Sequence, residues 1–254
     1  MSERLDAIRE MFVRFGTEAA IRLNLQGLSS CFRMLVRLQE LGEAEAPVGR
    51  EVQFSDSAAG ALVKRYVGYA MGTHGHAGLK FLGLVQYGSV STNEEAFANC
   101  AGIPVSDILS CEWKGLLHMP GYVLAVDRPR RSIVLAFRGT LWPQDWVTDL
   151  DCAPRACLLA GHGGLAHSGM LSAAEQAVRR LEPVVAGLLA SKEYHGYSVT
   201  VTGHSLGAGV AALVTAMWLG PDSPLGDAAD RLRCIGFGMP AVASSSFSAV
   251  ALLR

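Results

Sequence analysis

The residues best suited to do chemistry are Gly203-His204-Ser205-Leu206-Gly207, set between "VTVT" and "AGVAALV". A serine hydroxyl at such a junction can be aimed outward as a nucleophile. The sharp strand-to-helix turn strains its backbone, and its neighbours must be small so that strand and helix can approach. The helix that follows points unpaired N–H groups at any oxyanion that forms. An ordinary turn serine is the plainer alternative. Against it, a β-branched apolar run stops at Gly203 and an alanine-rich run begins just after Ser205. Ser205 is therefore the candidate nucleophile, and the backbone N–H of Leu206 a candidate oxyanion donor. Upstream, "IVLAFRGT" ends in Arg138-Gly139-Thr140, and Thr140, with a backbone N–H and a hydroxyl, is the candidate second donor. Losing one such donor costs ~3–4 kcal/mol of transition-state stabilisation.

The surrounding elements must hold that junction. "YSVTVTG" predicts a strand and "VAALVTAMWL" the body of a buried helix. Tyr194 to Pro221 contains no Asp, Glu, Lys or Arg, yet its unbroken apolar part is far shorter than the ~20 residues a bilayer requires. "GYVLAVD" and "SIVLAFRG", joined by "RPRR", predict a β-hairpin. Leu171, Ala174, Val178, Leu181, Val185 and Leu188 form a helical stripe, and "RCIGFG" predicts a further strand. Alternating strands and helices imply an α/β fold, a mostly parallel sheet with flanking helices. A helix is expected from Ser57 to Tyr69, then a glycine-rich loop around "GTHGHAG". Apolar residues at helical spacing before residue 41 and the break at "LGEAEAPVGRE" divide the chain into an amphipathic helical segment with linker, 1–55, and a main domain, 56–254.

Composition narrows the function. The 254 residues are half hydrophobic with a net charge of −1, and no basic stripe interleaved with aromatics favours nucleic acid. The charged N-terminus lacks the apolar core of a secretory signal, and six scattered cysteines match neither a disulfide scaffold nor a zinc site. An intracellular protein, cytoplasmic or peripheral to a membrane, is expected, with no metal and no organic cofactor. His74 and His76, two apart, and His162 and His167, flanking a glycine run, give weak metal hints. Asp145, Asp149 and Asp151 read as solvated acids rather than a calcium cluster.

The blocks "IVLAFRGT", "WPQDWVTDL", "AHSGMLSAA", "VTVTGHSLGAGVAAL" and "IGFGMPAVA" occur in an order that resembles the class 3, fungal-type lipases of the α/β-hydrolase fold. Within that family, "LLHMPGYVLAVDRPRRSIVLAFRGTL" is most similar to sn-1-specific diacylglycerol lipases. The resemblance spans about Tyr66 to Ala243. It implies that Ser205 is the nucleophile, that Leu206 and Thr140 form the oxyanion hole, and that "LWPQDW" lies where these enzymes carry a lid, with Trp142 and Trp146 as lid candidates. It implies a glycerolipid substrate at a membrane or lipid-droplet surface; no protein partner is identifiable.

The resemblance also implies an acid and then a histidine after the nucleophile. No histidine follows Ser205, and Asp222, Asp227 and Asp230 all precede "RCIGFG". The catalytic Asp and His are thus not found, and the expectation is a sequence shortened at its C-terminus. Without the base, turnover would fall about a millionfold. Upstream, His118, His162 and His167 are the weaker candidates for that role. Two functions remain open: a serine ester hydrolase for diacylglycerol or triacylglycerol, or an inactive lipase-like domain that binds lipid or a protein. An esterase or acyltransferase for another ester belongs to the first class.

Overall fold

A computed structural model describes residues 58–84, 91–115, 119–139, 154–219 and 223–244. All lie within one compact unit, Ala58–Arg254. The expected N-terminal helical segment falls outside the described residues.

Among the described residues, three helices come first: α1 (Ala58–Gly72), α2 (Gly75–Phe81) and α3 (Asn93–Ala101). A five-stranded sheet follows from β1 (Ile108–Glu112), β2 (Tyr122–Asp127), β3 (Ser132–Phe137), β6 (Ser198–His204) and β7 (Leu232–Phe237), side by side in that order. Between β3 and β6 run a separate hairpin, β4 (Pro154–Leu159) with β5 (His162–His167), and the long helix α4 (Ser168–Ala190); α5 (Leu206–Trp218) follows β6.

The hairpin expected from "RPRR" is present: β2 and β3 pair antiparallel, Asp127 opposite Ser132. The sheet as a whole is mixed. β1–β2 and β2–β3 are antiparallel, whereas β3–β6 and β6–β7 are parallel. Parallel pairing is thus confined to the strands whose connections carry helices, because a parallel return needs a crossover and a two-strand turn does not.

Both faces of the sheet are covered. On one, Leu124, Val126, Ile133, Leu135, Val199 and Val201 pack with Leu171, Leu181, Val210 and Val214 of α4 and α5. On the other, Val123, Ala125, Val134 and Ala136 pack with Tyr66, Tyr69 and Phe97 of α1 and α3. This double burial explains why β2 and β3 read as unbroken apolar runs. On the α1 side of β6 the alternation places Thr200, whose hydroxyl meets Ser132 Oγ at 2.9 Å and Tyr66 Oη at 3.4 Å, so the buried polar atoms are satisfied. Arg65 of α1 donates to both carboxylate oxygens of the fully buried Asp127, at 3.0 and 3.1 Å.

One expectation needs correction. "GTHGHAG" is not a loop: only Thr73 and His74 break the helical run, and α2 starts at Gly75. Gly75 takes φ +65°, and His76 N–H donates to Asn93 Oδ1 of α3 at 2.8 Å. Tertiary anchoring therefore overrides the poor helix propensity of the glycines. The β4–β5 hairpin was not foreseen at all. It starts at a proline, contains two adjacent glycines and stands outside the main sheet.

Candidate functional site

The centre of the site is the passage from β6 to α5. Ser205, half-buried between them, has φ +54° and ψ −125°. A non-glycine residue there carries about 1–3 kcal/mol of strain, held only if the surroundings fix it. They do so on both sides. Ser205 N–H donates to Phe237 O of β7 at 2.9 Å, and Ser205 O accepts from Ala208 N–H at 2.9 Å and Gly209 N–H at 3.2 Å. The serine side chain makes no capping bond to its helix, so the hydroxyl is not spent on the backbone.

The flanking glycines are required by close approach. A Cβ on Gly203 would lie 2.4 Å from the Gly207 carbonyl, and a Cβ on Gly207 2.4 Å from Phe137 O. The first turn of α5 thus rests directly on the end of β3. Leu206, the first residue of α5, is buried, and its N–H belongs to the helix terminus that has no intrahelical acceptor. Arg138 N–H donates to Gly121 O at 2.8 Å, and its guanidinium donates to Trp113 O. These bonds direct the chain toward Gly139, which abuts the backbone of His204. Thr140, Trp142 and Trp146 lie outside the described residues, as do Asp145, Asp149, Asp151 and His118.

The upstream histidines have other engagements. His167 caps α4, its Nδ1 accepting from Met170 N–H at 3.3 Å. His162 lies at the β4–β5 turn, its Nδ1 3.0 Å from Ala160 O. His195 is exposed before β6, its carbonyl accepting from Arg131. Among the described residues no group of three His, Cys, Asp or Glu is placed to hold a metal ion, and no helix is long and apolar enough to cross a membrane.

One residue near the site was missed. His74, between α1 and α2, is buried, and its ring meets that of His204 edge-on, centroids 6.3 Å apart. Burial first, then the charges of His204 and Arg138, hold the His74 pKa down at about 4. The only sequence signal was a histidine pair among glycines.

The family described as "Lipase (class 3)" matches residues 134–252. Human diacylglycerol lipase-alpha is 31% identical over 141 residues, 53% of this chain and 13% of that protein. Secreted mono- and diacylglycerol lipase 1 of Fusarium solani is 33% identical over 97 residues, 38% of this chain and 28% of that protein. The chain thus spans less than a third of either relative. Among solved structures, the triacylglyceride lipase of Rhizomucor miehei superposes with a TM-score of 0.57 at 20% identity, covering 78% of this chain and 68% of the other. Lipase II of Rhizopus niveus gives 0.55 at 23% identity, covering 77% and 68%. These structural likenesses show the α/β-hydrolase fold expected from the sequence. The match to the class 3 lipases thus runs from the middle of β3 onward and includes the elbow at Ser205; over that stretch the chain resembles the family.

Proposed function

We propose that the chain is a serine ester hydrolase acting on glycerolipids, of the diacylglycerol- or triacylglycerol-lipase kind, through an acyl-enzyme at Ser205. The observation that supports it most is the backbone of Ser205, a strained φ of +54° maintained between β6, α5 and β7. Ser205 Oγ attacks the ester carbonyl carbon while its proton passes to a general base. The tetrahedral oxygen is held by the N–H of Leu206 and by Thr140. The carbon–alkoxide bond then breaks, the alcohol leaves with the proton from the base, and water repeats the sequence to release the fatty acid. No histidine follows Ser205 in this sequence to serve as that base. The substrate's apolar acyl chains place the reaction at a membrane or lipid-droplet surface.

A second reading, a lipase-like domain that binds lipid without turning it over, is supported by the engagement of His162 and His167 in local structure. Fatty-acid release from emulsified dioleoylglycerol by the full chain, with Ser205→Ala beside it, separates the two. The hydrolase reading expects release that disappears in the variant. Binding to the emulsion without any Ser205-dependent release would establish the second reading.

A further inference from the structure

The α1–α2 junction brings a histidine from far upstream against the nucleophile elbow, and its chemistry is unusual for a core contact. His74 is 7% exposed and its Nδ1 has no hydrogen-bond partner among the described residues. Its placement is firm. His74 N–H donates to Met71 O at 3.1 Å, Thr73 Oγ1 donates to Ala70 O at 2.6 Å, and the next turn is tied to Asn93 of α3. The ring packs on His204 at an interplanar angle of 71°.

His204 is itself a wedge between two chain segments. A Cβ on Gly139, beyond β3, would come within 2.5 Å of His204 O and 3.6 Å of its Nδ1. A Cβ on Gly238, beyond β7, would come within 3.6 Å of His204 Nε2. The imidazole of His204 therefore separates the segment that leads to Thr140 from the segment that receives Ser205 N–H. The ladders pair Gly203 with Phe137 and His204 with Phe237, and the ring of His204 fills the space where the two neighbouring segments leave the sheet.

We propose that His74 is a positioning residue for the elbow: by packing on His204 it keeps the segments after β3 and β7 at the spacing that Ser205 requires. The assignment of a nucleophilic role to Ser205 rests on the proposed function above; the mechanical role of His74 does not. The contact works with an uncharged His74 ring. The charged groups that act on His74 are His204 from β6 and Arg138 from the end of β3, both of its own sign. The acids of α3 are committed elsewhere: Glu94 accepts from Trp113 Nε1 at 2.8 Å, and Glu95 caps its own helix with Ser91 and Thr92. The titratable groups of α2 are His76 and Lys80, and those of α1 are Lys64, Arg65, Tyr66 and Tyr69. A proton on His74 would sit buried beside the Arg138 guanidinium, so the ring must leave its place and release His204.

Amide hydrogen exchange tests this without relying on activity, because the Ser205 N–H bonds across to Phe237 O. Protection factors of Ser205 are compared with those of Val201, in the middle of β6, in the full chain from pH 7 to pH 4. The wild type should lose about tenfold more protection at Ser205 than at Val201 as the pH falls. His74→Phe, which keeps a ring but cannot be protonated, should hold Ser205 protection level across that range; His74→Ala should show the loss already at pH 7. Parallel changes at the two amides in the wild type, or an acid loss at Ser205 that persists in His74→Phe, would overturn the proposal. If His74→Ala does not fold, the Phe variant alone decides. Absence of esterase activity with these exchange patterns intact would remove the hydrolase reading and leave the positioning role.

Discussion

The carbonyl oxygen of Phe137, the last residue of β3, occupies the space that a side chain on Gly207 would need: a Cβ there would lie 2.4 Å from it. Strand and helix therefore touch backbone to backbone beside Ser205, and the segment leading to the second donor candidate starts from the same point. Gly207→Ala and Gly203→Ala should each destabilise the fold by about 3 kcal/mol, the upper end of overpacking costs. Gly187→Ala, in the last turn of α4 with nothing among the described residues within 4 Å of the added carbon, should instead stabilise by about 0.5 kcal/mol. Urea unfolding of the three variants checks both signs.

The strain at Ser205 has its own signature. Glycine adopts positive φ freely, so Ser205→Gly should be more stable than Ser205→Ala by about 1–2 kcal/mol. That corresponds to a melting temperature higher by about 2–8 °C for a chain of this size. Equal melting temperatures would mean that the elbow is relaxed in solution.

Acid should weaken the fold through His74. Its pKa is about 4 in the folded chain against 6.5 for an unperturbed histidine, so between these values the unfolded chain binds more protons. The stability associated with neutral His74 is complete above pH 6.5 and is lost as the pH falls toward 4, by at most about 3 kcal/mol. His74→Phe should flatten that part of the stability profile, as measured by denaturant midpoints at pH 7.5, 5.5 and 4.5.

At the opposite end of the sheet, the Arg65–Asp127 pair makes a test unrelated to the elbow. Asp127 is fully buried and bonded through both oxygens, so Arg65→Met leaves a buried carboxylate without its partner and should cost about 3–5 kcal/mol. Adding Asp127→Leu should recover part of that loss, since the uncompensated charge is then gone. Thermal melts of the single and double variants decide.

The elbow was legible in the sequence because three levels agree there: an apolar strand, a glycine-bounded serine and an apolar helix. The β2–β3 hairpin and α4 were equally plain, one from its turn and the other from a stripe whose members Leu171, Ala174, Leu181 and Val185 are all buried. The helix α2 was hidden because its first residues have poor helix propensity and its anchor, Asn93, lies on another helix. The β4–β5 hairpin carries neither alternation nor a strong turn dipeptide. The His74–His204 contact joins residues 130 positions apart, and nothing local to either marks it.

The most direct test of the central claim is covalent labelling of the full chain with a fluorophosphonate, followed by mass spectrometry of the peptide that holds Gly203 to Gly207. A single adduct on Ser205, absent in Ser205→Ala and slowed when Gly207 is replaced by Ala, is the outcome expected of a presented nucleophile. An unlabelled Ser205 in a folded chain, or an adduct that persists in Ser205→Ala, would contradict it.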